Sequence, residues 1–346
     1  MRLPSLVAAV DRALGALGAL GGPEAGETLL VGLSGGADSV ALLDALVTLE
    51  ERRGVRPIAA HLDHGLRADS ADDADFCHEL CKKLGVAFRS GVADVRARAG
   101  RERGGLEQAA RLERHEFLHA ERRETGAAAI ALAHTRDDQA ETLLLRLLRG
   151  AGATGLGGMR ARRGRIVRPL LGVSREQVLA HLHDRGLTWR EDPTNADLKI
   201  VRNRIRHELL PYLEARFNPA LREGLARTAG LLADEAAHLR GEADALLDRI
   251  AHIEDETLVL DRTELGQAPP PVARVAVRQA LRRTGGLARI GAVHVERILA
   301  LARSPAPSGR RVPLPGGREV RYCHVALRLG PRPAAAAGGA AVGRKP

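Results

Sequence analysis

Six consecutive residues, Ser34-Gly-Gly-Ala-Asp-Ser39, have the composition of a phosphate-binding turn. An apolar run precedes them and an amphipathic run follows, so the pattern places them where a strand leads into a helix. The two glycines, Gly35 and Gly36, allow a tight turn, and the first N–H groups of a helix attract an anion. Asp38 suits such a site if Mg²⁺ bridges its carboxylate to the phosphates. A plain glycine turn with Asp38 or Ser39 as the helix cap is the alternative.

Two carboxylates lie one helical turn apart in the segment 134–149. Thr135 followed by Asp138 is typical of a capping arrangement, and the helical period places Asp138 and Glu141 on one face with Leu145 and Arg149. The opposite face is predicted to pack on a sheet and contains Ala140, Leu143, Leu144 and Leu147. Such a carboxylate pair can hold a substrate ammonium group, bind a metal ion or accept a proton. A solvated acidic first turn is the alternative.

Three further groups of polar residues have weaker signals. His61 and His64 follow a predicted strand, where two histidines are too few ligands for a metal site, so we expect His64 or Arg67 to contact a nucleotide or substrate. Histidines that only cap a turn are the alternative. Residues 107, 111 and 114 (Glu, Arg, Arg) share a helix face, which ordinary surface ion pairs would explain. Cys77, His78 and Cys81 lie within two turns of one helix and are read as buried thiols rather than a metal site.

The elements that position these residues alternate between strand and helix. Strands are predicted at 28–33, 56–61, 86–90 and 127–133, and helices at 38–52, 70–84, 105–124 and 135–149. This order is typical of an α/β fold with a parallel sheet, in which phosphate ligands bind beyond the carboxyl ends of the strands. A flexible loop is predicted at 151–168, and a helix at 174–186.

A second, smaller and mainly helical domain is expected from about residue 216. Helices are predicted at 219–253, 272–284 and 293–303, with a small hairpin at 310–329 around Pro315-Gly-Gly317. The predicted division is therefore a catalytic domain at 1–215, a helical domain with a hairpin at 216–330 and a disordered end at 331–346.

The amino-acid composition favours some kinds of binding partner and excludes some classes of protein. The chain has 346 residues and a net charge of +10, and 49 of its 53 basic residues are arginine, which favours a polyanionic partner. A GC-rich genome would give the same excess. Aromatic residues make up 2%, which excludes a stacking surface of many aromatics. Three cysteines exclude a disulfide framework and favour the cytoplasm, and no uncharged apolar run is long enough for a membrane span.

The order and spacing of six motifs over residues 28–210 give a specific resemblance. The chain resembles the N-type ATP pyrophosphatases of the PP-loop superfamily, whose fold is adenine nucleotide alpha-hydrolase-like, and more narrowly the bacterial tRNA(Ile)-lysidine synthetase family. The motifs are Ser34–Ser39, His61–Arg67, Glu107 with Arg111 and Arg114, His134–Thr142, Gly152–Leu156 and Arg202–Arg206.

The resemblance implies a two-step ligase reaction. In that family ATP activates the C2 position of the wobble cytidine in the CAU anticodon of tRNA(Ile), releasing pyrophosphate, and the amine of L-lysine then displaces AMP to form lysidine. By resemblance, Asp38, Arg111, Asp138 and Glu141 are catalytic, Asp138 and Glu141 bind lysine, and Asp38 binds Mg²⁺. The implied ATP-binding residues are Ser34, Gly35, Gly36, Ala37, Asp38, Ser39, His61, Arg67 and His134, and the implied tRNA-binding residues are Arg202, Arg204 and Arg206.

Four questions stay open at this level. A tRNA 2-thiocytidine thiolase of the same superfamily is the close alternative, although the chain lacks the C-x-x-C pairs that its iron–sulfur chemistry needs. A non-enzymatic RNA-binding protein that keeps the ATP fold is the alternative from another class. The resemblance also implies that larger members carry one more carboxyl-terminal domain, which we expect this chain to lack. The oligomeric state is open, with a homodimer as one candidate.

Overall fold

The computed structural model describes residues 5–18, 23–66, 70–101, 105–255, 257–304 and 308–332. The chain forms two compact units, residues 1–233 and 234–346. The division falls inside one continuous helix, Leu221–Ile250. The predicted domain boundary at residues 215 and 216 stays a prediction.

A six-stranded sheet forms the centre of the first unit. Its strands are β1 (Thr28–Gly32), β2 (Arg56–Asp63), β3 (Ala87–Val92), β4 (Ala129–Ala131), β5 (Arg162–Arg163) and β6 (Ile166–Val167). Their spatial order is β3-β2-β1-β4-β6-β5. All neighbours pair in parallel except β5 and β6. The predicted α/β fold with a parallel sheet is confirmed.

Helices cover both faces of this sheet. In the first unit they are α1 (Ser5–Gly18), α2 (Ala37–Arg53), α3 (Ser70–Leu84), α4 (Val95–Arg101), α5 (Gly105–Glu124), α6 (Arg136–Leu148), α7 (Ala153–Leu156), α8 (Arg175–Arg185), α9 (Val201–Arg204), α10 (Leu210–Arg216) and the start of α11 (Leu221–Ile250). A π-helical turn, Ile205–Leu209, joins α9 to α10. Pro211 in the first turn of α10 has no N–H for the helical ladder, which accounts for a local change of helix type here.

The central strands are apolar on both faces because helices bury both. Leu29 and Val31 of β1 pack into one core cluster with residues of α1, α2 and α8. Leu30 points to the other face and packs with Leu118 of α5 and Ile130 of β4. This two-sided burial fixes the strand register, so the loops that leave the carboxyl ends of the strands start from a rigid base.

The segment 151–168 is ordered into α7 and the β5–β6 hairpin, so the prediction of a flexible loop is wrong. The Gln139 amide binds both backbone groups of Met159, accepting from its N–H at 2.7 Å and donating to its carbonyl at 2.9 Å. Arg146 donates to the Gly158 carbonyl at 2.9 Å. Gly158 has φ +61°, and a Cβ there would lie 2.6 Å from the Gln139 Oε1. Contacts from distant helix side chains, which local composition does not show, order this segment.

A buried ionic network joins α2 to α8. The Asp44 carboxylate, 1% exposed, lies 2.8 Å from His181 Nε2 and 3.1 Å from the Arg185 guanidinium. Burial alone would raise the pKa of Asp44, but the hydrogen bonds from His181 and Arg185 outweigh burial and hold the pKa below its ordinary value of 3.8. Because the folded pKa is lowered, the network stabilises the fold above about pH 4 and loses this effect as the pH falls through the folded pKa.

We therefore expect Asp44→Asn to lower the free energy of unfolding by about 3 kcal/mol at pH 7, because it leaves buried donors without their charged partner. Urea unfolding of the wild type and the variant between pH 3 and pH 7 measures this, and the difference between them should shrink at the acid end. Asp72→Asn, on exposed α3, is the matched control. A change below about 0.5 kcal/mol at pH 7 would contradict a stabilising role.

The second unit holds a five-stranded antiparallel sheet. The strands are β7 (Ala251–Glu254), β8 (Thr257–Asp261), β9 (Arg311–Leu314), β10 (Arg318–Cys323) and β11 (Ala326–Pro331), in the order β7-β8-β11-β10-β9. The helices are the end of α11, α12 (Arg262–Gln267), α13 (Pro270–Arg283) and α14 (Ala292–Arg303). Their apolar faces share one core with β8 to β11.

The predicted hairpin around 315–317 is present as β9 and β10, but it is part of a larger sheet than we predicted. Ala251–Glu254 was predicted as the end of a helix and instead pairs with β8. Residues 333–346, most of the predicted disordered end, lie outside the described residues. Among the described helices, none combines the length and the apolar composition needed to cross a bilayer.

Candidate functional site

A cleft of about 1810 Å³ opens at the carboxyl ends of β1, β2 and β4 in the first unit. The three strands are parallel neighbours, so the segments that follow them meet at one edge of the sheet. These segments contribute residues 32–39, 60–66 and 132–137 to the lining, with breaks. The position is the one at which open α/β sheets bind nucleotides.

The turn after β1 is held by its own two serines. Ser39 Oγ donates to the Gly36 carbonyl at 2.8 Å and accepts from the Ser34 N–H at 3.2 Å. Gly35 has φ +80°, and a Cβ there would lie 3.4 Å from the Cys77 Sγ. The left-handed backbone and the close thiol both favour glycine at this position. The turn is therefore preformed before any ligand arrives.

The amino end of α2 lines the cleft. Gly36 is its N-cap and has no side chain to satisfy the first N–H groups, which leaves these groups for an anion. Asp38, in the first turn, accepts a hydrogen bond from the Arg175 guanidinium at 2.7 Å. Burial raises the pKa of Asp38, and Arg175 opposes this rise. The alternative in which Asp38 or Ser39 caps the helix fails, because α2 has no side-chain cap.

Arg175 is a site residue that the sequence analysis missed. It is the first residue of α8, and its backbone N–H donates to the Asp137 carboxylate at 2.8 Å. A cation in the first turn of a helix is disfavoured by the helix dipole, and the contact with Asp38 offsets this cost. Arg175 and Asp38 are 137 positions apart, so no local signal in the sequence indicated this contact.

The predicted capping box at the start of α6 is confirmed. Thr135 accepts from the Asp138 N–H, and the Asp138 carboxylate accepts from the Thr135 N–H at 2.9 Å. Ala140, Leu143 and Leu144 are buried as predicted. Leu147 is 55% exposed, so its predicted burial is wrong, because the last turn of α6 runs beyond the edge of the core. The box fixes the direction in which both carboxylates of α6 point.

Asp138 and Glu141 form an ionic quartet with two arginines of the α9 to α10 segment. Arg202 donates to Glu141 at 2.8 Å and to Asp138 at 2.9 Å. Arg206 donates to Asp138 at 3.3 Å and to Glu141 at 3.2 Å. The Glu141 side chain is 0% exposed, so its charge needs these partners. The alternative of a solvated acidic turn is wrong.

The Asp138 carboxylate has no acceptor capacity left. It accepts two hydrogen bonds from Thr135 and one each from Arg202 and Arg206, which uses the roughly four lone-pair sites of a carboxylate. Burial would raise the pKa of Asp138, but Arg202, the Thr135 N–H and other donors lower it below its ordinary value. Asp138 also contributes to the raised pKa of Asp38, so the two carboxylates share one electrostatic environment.

Several other predicted site residues reach the same cleft. His61 is buried, and its Nδ1 lies 2.9 Å from the Leu33 carbonyl. Burial lowers the pKa of His134 to about 4, so its ring is neutral at pH 7, and its Nδ1 has no hydrogen-bond partner among the described residues. Arg111 lines the cleft. Arg67 lies outside the described residues.

The three predicted tRNA contacts have different surroundings. Arg202 and Arg206 face the carboxylates of α6, as described above, and each side chain is about one third exposed. Arg204 points away from them and pairs with Glu208 at 3.7 Å, with 60% of its side chain exposed. The RNA-binding role of all three stays a prediction.

The cysteines are packing residues. Cys77 and Cys81 are buried on α3, and burial raises the pKa of each thiol to about 12. The prediction of buried thiols is confirmed, and neither group has the low pKa of a reactive thiol.

The site fits a Mg²⁺ ion only together with phosphate oxygens. No group of three or more His, Cys, Asp or Glu side chains that could hold a metal exists among the residues that the structure describes. Asp38 lines the cleft beside the anion-binding end of α2, and Arg175 contacts its Oδ1 alone. Mg²⁺ is commonly held by one or two carboxylates plus substrate phosphates, and Asp38 is placed for that role.

Two known domain families match this chain. Residues 11–213 match the model of the PP-loop domain, and residues 260–325 match the TilS substrate binding domain. The fold is similar to the U34-tRNA thiolase NcsA from Methanococcus maripaludis, with a TM-score of 0.56 at 17% identity over 66% of this chain and 78% of that one.

Two curated relatives match this chain at higher identity. The tRNA(Ile)-lysidine synthase of Geobacter sulfurreducens is 43% identical over 82% of this chain and 61% of its own length. That of Solibacter usitatus is 41% identical over 88% of this chain and 68% of its own length. This chain thus spans about two thirds of the length of these relatives. The domain match and these identities show that the chain belongs to the tRNA(Ile)-lysidine synthase family of PP-loop proteins.

Proposed function

We propose that this chain is an ATP-dependent ligase that modifies a tRNA. It uses ATP to adenylate the C2 position of the wobble cytidine of tRNA(Ile) with a CAU anticodon, and it then attaches L-lysine to form lysidine. The products are pyrophosphate from the first step and AMP from the second. The family supports this assignment, since the relatives are named for lysidine synthesis.

One observation carries the proposal. The preformed anion-binding turn at Ser34–Ser39 and the buried Glu141 of α6 line one cleft, and the charge of Asp138, which shares two arginines with Glu141, contributes to the raised pKa of Asp38. An enzyme that first cleaves ATP at the α-phosphorus and then brings an amine to the same centre needs both features side by side.

In the first step the cytidine C2 oxygen bonds to the α-phosphorus, and the bond from the α-phosphorus to the bridging oxygen of pyrophosphate breaks. The first turn of α2 and the hydroxyls of Ser34 and Ser39 would hold the pyrophosphate. Asp38 would hold Mg²⁺, which neutralises phosphate charge when bound. Arg111 and the neutral ring of His134 also line the cleft and would lie near the reacting nucleotide.

In the second step the lysine amine bonds to C2 and the bond from C2 to the oxygen of AMP breaks. Asp138 and Glu141 would hold the ammonium groups of lysine, and one of them would accept the proton of the attacking amine. Because Asp138 is saturated, an ammonium group displaces at least one guanidinium hydrogen bond from it. Lysine binding therefore requires Arg202 or Arg206 to move.

A sulfur-transfer reaction is not favoured. The sequence has no C-x-x-C pair, and Cys77 and Cys81 are buried with thiol pKa values of about 12, which leaves Cys323 as the one partly exposed cysteine among the described residues. The positive charge of the chain fits an RNA partner, and residues 260–325 match a substrate binding domain. A homodimer and a cytoplasmic location stay predictions.

The decisive experiment incubates the purified chain with ATP, Mg²⁺, radiolabelled L-lysine and a tRNA(Ile) transcript with a CAU anticodon. We expect label in the tRNA, with one AMP and one pyrophosphate released for each lysine attached. Initiator methionine tRNA serves as the control RNA and should accept little label. Label that never enters the tRNA, while ATP is still cleaved, would contradict the second step.

A further inference from the structure

Four arginines beside the cleft form a cationic group without acidic partners. Arg111 and Arg114 lie on α5, Arg163 lies on β5, and Arg168 follows β6. We call them the arginine cluster. Within the part of the chain that the structure describes, no ion pair joins any of them to a carboxylate. Arg98 shows the contrast, because it pairs with Glu113 at 3.1 Å and with another glutamate of α5.

Arg168 is the buried member of the cluster. The residue is 5% exposed, and its guanidinium donates to the Arg160 carbonyl at 2.9 Å. Its Nε has no hydrogen-bond partner among the described residues. Burial, together with the nearby charges of Arg111 and Arg163, lowers the pKa of Arg168 to about 10. A buried cation surrounded by like charges destabilises the fold, which indicates that it serves a ligand.

The carboxylates nearest the phosphate-binding turn and at the start of α6 are paired with arginines outside the cluster. Asp38 is paired with Arg175, and the carboxylates of α6 are paired with Arg202 and Arg206. Arg111 and Arg114 line the cleft directly, and His115 between them on α5 also lines it. Burial and the nearby arginines lower the pKa of His115 to about 4, so this wall carries only uncompensated arginine charge at pH 7.

The cluster extends from the cleft to the far edge of the sheet, so Arg163 lies away from the phosphate-binding turn. That turn follows β1, whereas Arg163 is on the edge strand β5, with β4 and β6 in between. Three strand spacings amount to roughly 14 Å, because neighbouring strands lie about 4.8 Å apart. A triphosphate held at Ser34–Ser39 joins its phosphorus atoms through single oxygens and is shorter than this. The cluster therefore suits a second phosphate group, from another part of the substrates.

We propose that the arginine cluster binds a backbone phosphodiester of the RNA substrate next to the nucleotide that is modified. The inference rests on the proposed function, because it takes the RNA from there. Arginine forks bind phosphate oxygens bidentately, and contacts to the backbone position an RNA without reading its sequence. An RNA held in this way presents the base of the modified nucleotide to the α-phosphorus at the far side of the cleft.

The test uses Arg163→Gln and Arg114→Gln, both at exposed positions, with Arg123→Gln as the matched control on an exposed part of α5. The affinity for unmodified tRNA is measured at several salt concentrations, and the affinity for ATP with Mg²⁺ is measured by calorimetry without RNA. We expect each cluster variant to bind tRNA about 5- to 20-fold more weakly. The slope of log K against log salt should also fall by about 0.7 to 0.9 for each lost phosphate contact.

Two outcomes overturn the inference. The first is a loss of tRNA affinity no larger than that of Arg123→Gln. The second is an ATP affinity that falls as much as the tRNA affinity, which would assign the cluster to the nucleotide phosphates. Arg163→Lys keeps the charge but loses the guanidinium fork, so its tRNA affinity should lie between those of the wild type and Arg163→Gln. These readouts do not use lysine transfer, so a failed labelling assay with intact tRNA binding would refute the proposed reaction and leave the cluster standing.

Discussion

Asp138→Asn is expected to lower lysine incorporation by about 100-fold while the adenylated tRNA still forms. Asparagine keeps an oxygen for the Thr135 N–H, so the start of α6 is preserved. It removes the negative charge that an ammonium group needs, and a hydrogen bond between charged groups contributes about 3 kcal/mol, or roughly 100-fold. The loss should therefore fall on the second step alone.

Two separate assays, one without lysine and one with it, distinguish the steps. Pyrophosphate release in the absence of lysine reports adenylation, and radiolabelled lysine in the tRNA reports the second step. Asp72→Asn, on the exposed surface of α3, removes the same charge elsewhere and should behave like the wild type. If Asp138→Asn stops pyrophosphate release as well, the carboxylate belongs to the first step and the proposed amine site is wrong.

Asp38→Asn should reduce pyrophosphate release by about 1000-fold, because a site without this carboxylate cannot hold the metal that neutralises the phosphates. The effect falls on the first step, so lysine incorporation drops in parallel. The affinity for tRNA should stay within twofold of the wild type. The measurement is single-turnover pyrophosphate release with tRNA in excess, across a range of Mg²⁺ concentrations.

Asp38 is also the residue at which an enzyme and a simple RNA-binding protein differ. If the fold were kept only to bind RNA, Asp38→Asn would leave every measurable function unchanged. Asp38 accepts from Arg175, so its loss also frees a cation at the start of α8. Thermal unfolding of the variant checks that the fold survives, and a folded variant with full activity would reject the metal role.

Much of the first unit could be predicted from the sequence. The predicted helices at 70–84 and 105–124 have the observed bounds, and β1 and β2 are found where apolar runs indicated buried strands. These elements are long and strongly patterned, so local propensity and burial agree. Because β1 and β4 are parallel neighbours, the turns that follow them lie at the same edge of the sheet. The phosphate-binding turn and the start of α6 could therefore be predicted to lie close together.

Other elements had no local signal. The strands β5 and β6 have two residues each, too few for any periodicity, and contacts from Gln139 hold the segment before them. Ala251–Glu254 continues the composition of α11, and only pairing with β8 makes it a strand. Tertiary contacts decide such segments, so a reading of local sequence assigns them incorrectly.

In the site, the residue types were predicted but their partners were not. Arg175 meets Asp38 across 137 positions, and Arg202 meets Glu141 across 61. A separation of that size carries no spacing rule, in contrast to the capping box of Thr135 and Asp138. The sequence therefore predicted two carboxylates as a lysine site and two arginines as RNA contacts, and it could not show that these groups neutralise one another.

The joint placement of triphosphate and amine can be tested by a crystal structure with lysine, Mg²⁺ and an ATP analogue that resists cleavage between the α- and β-phosphates. We expect the triphosphate on Ser34–Ser39, the metal on Asp38, and the lysine amine on Asp138 and Glu141 facing the α-phosphorus, with Arg202 or Arg206 withdrawn from Asp138. A triphosphate bound elsewhere, or a quartet unchanged with lysine outside the cleft, would contradict the proposed reaction.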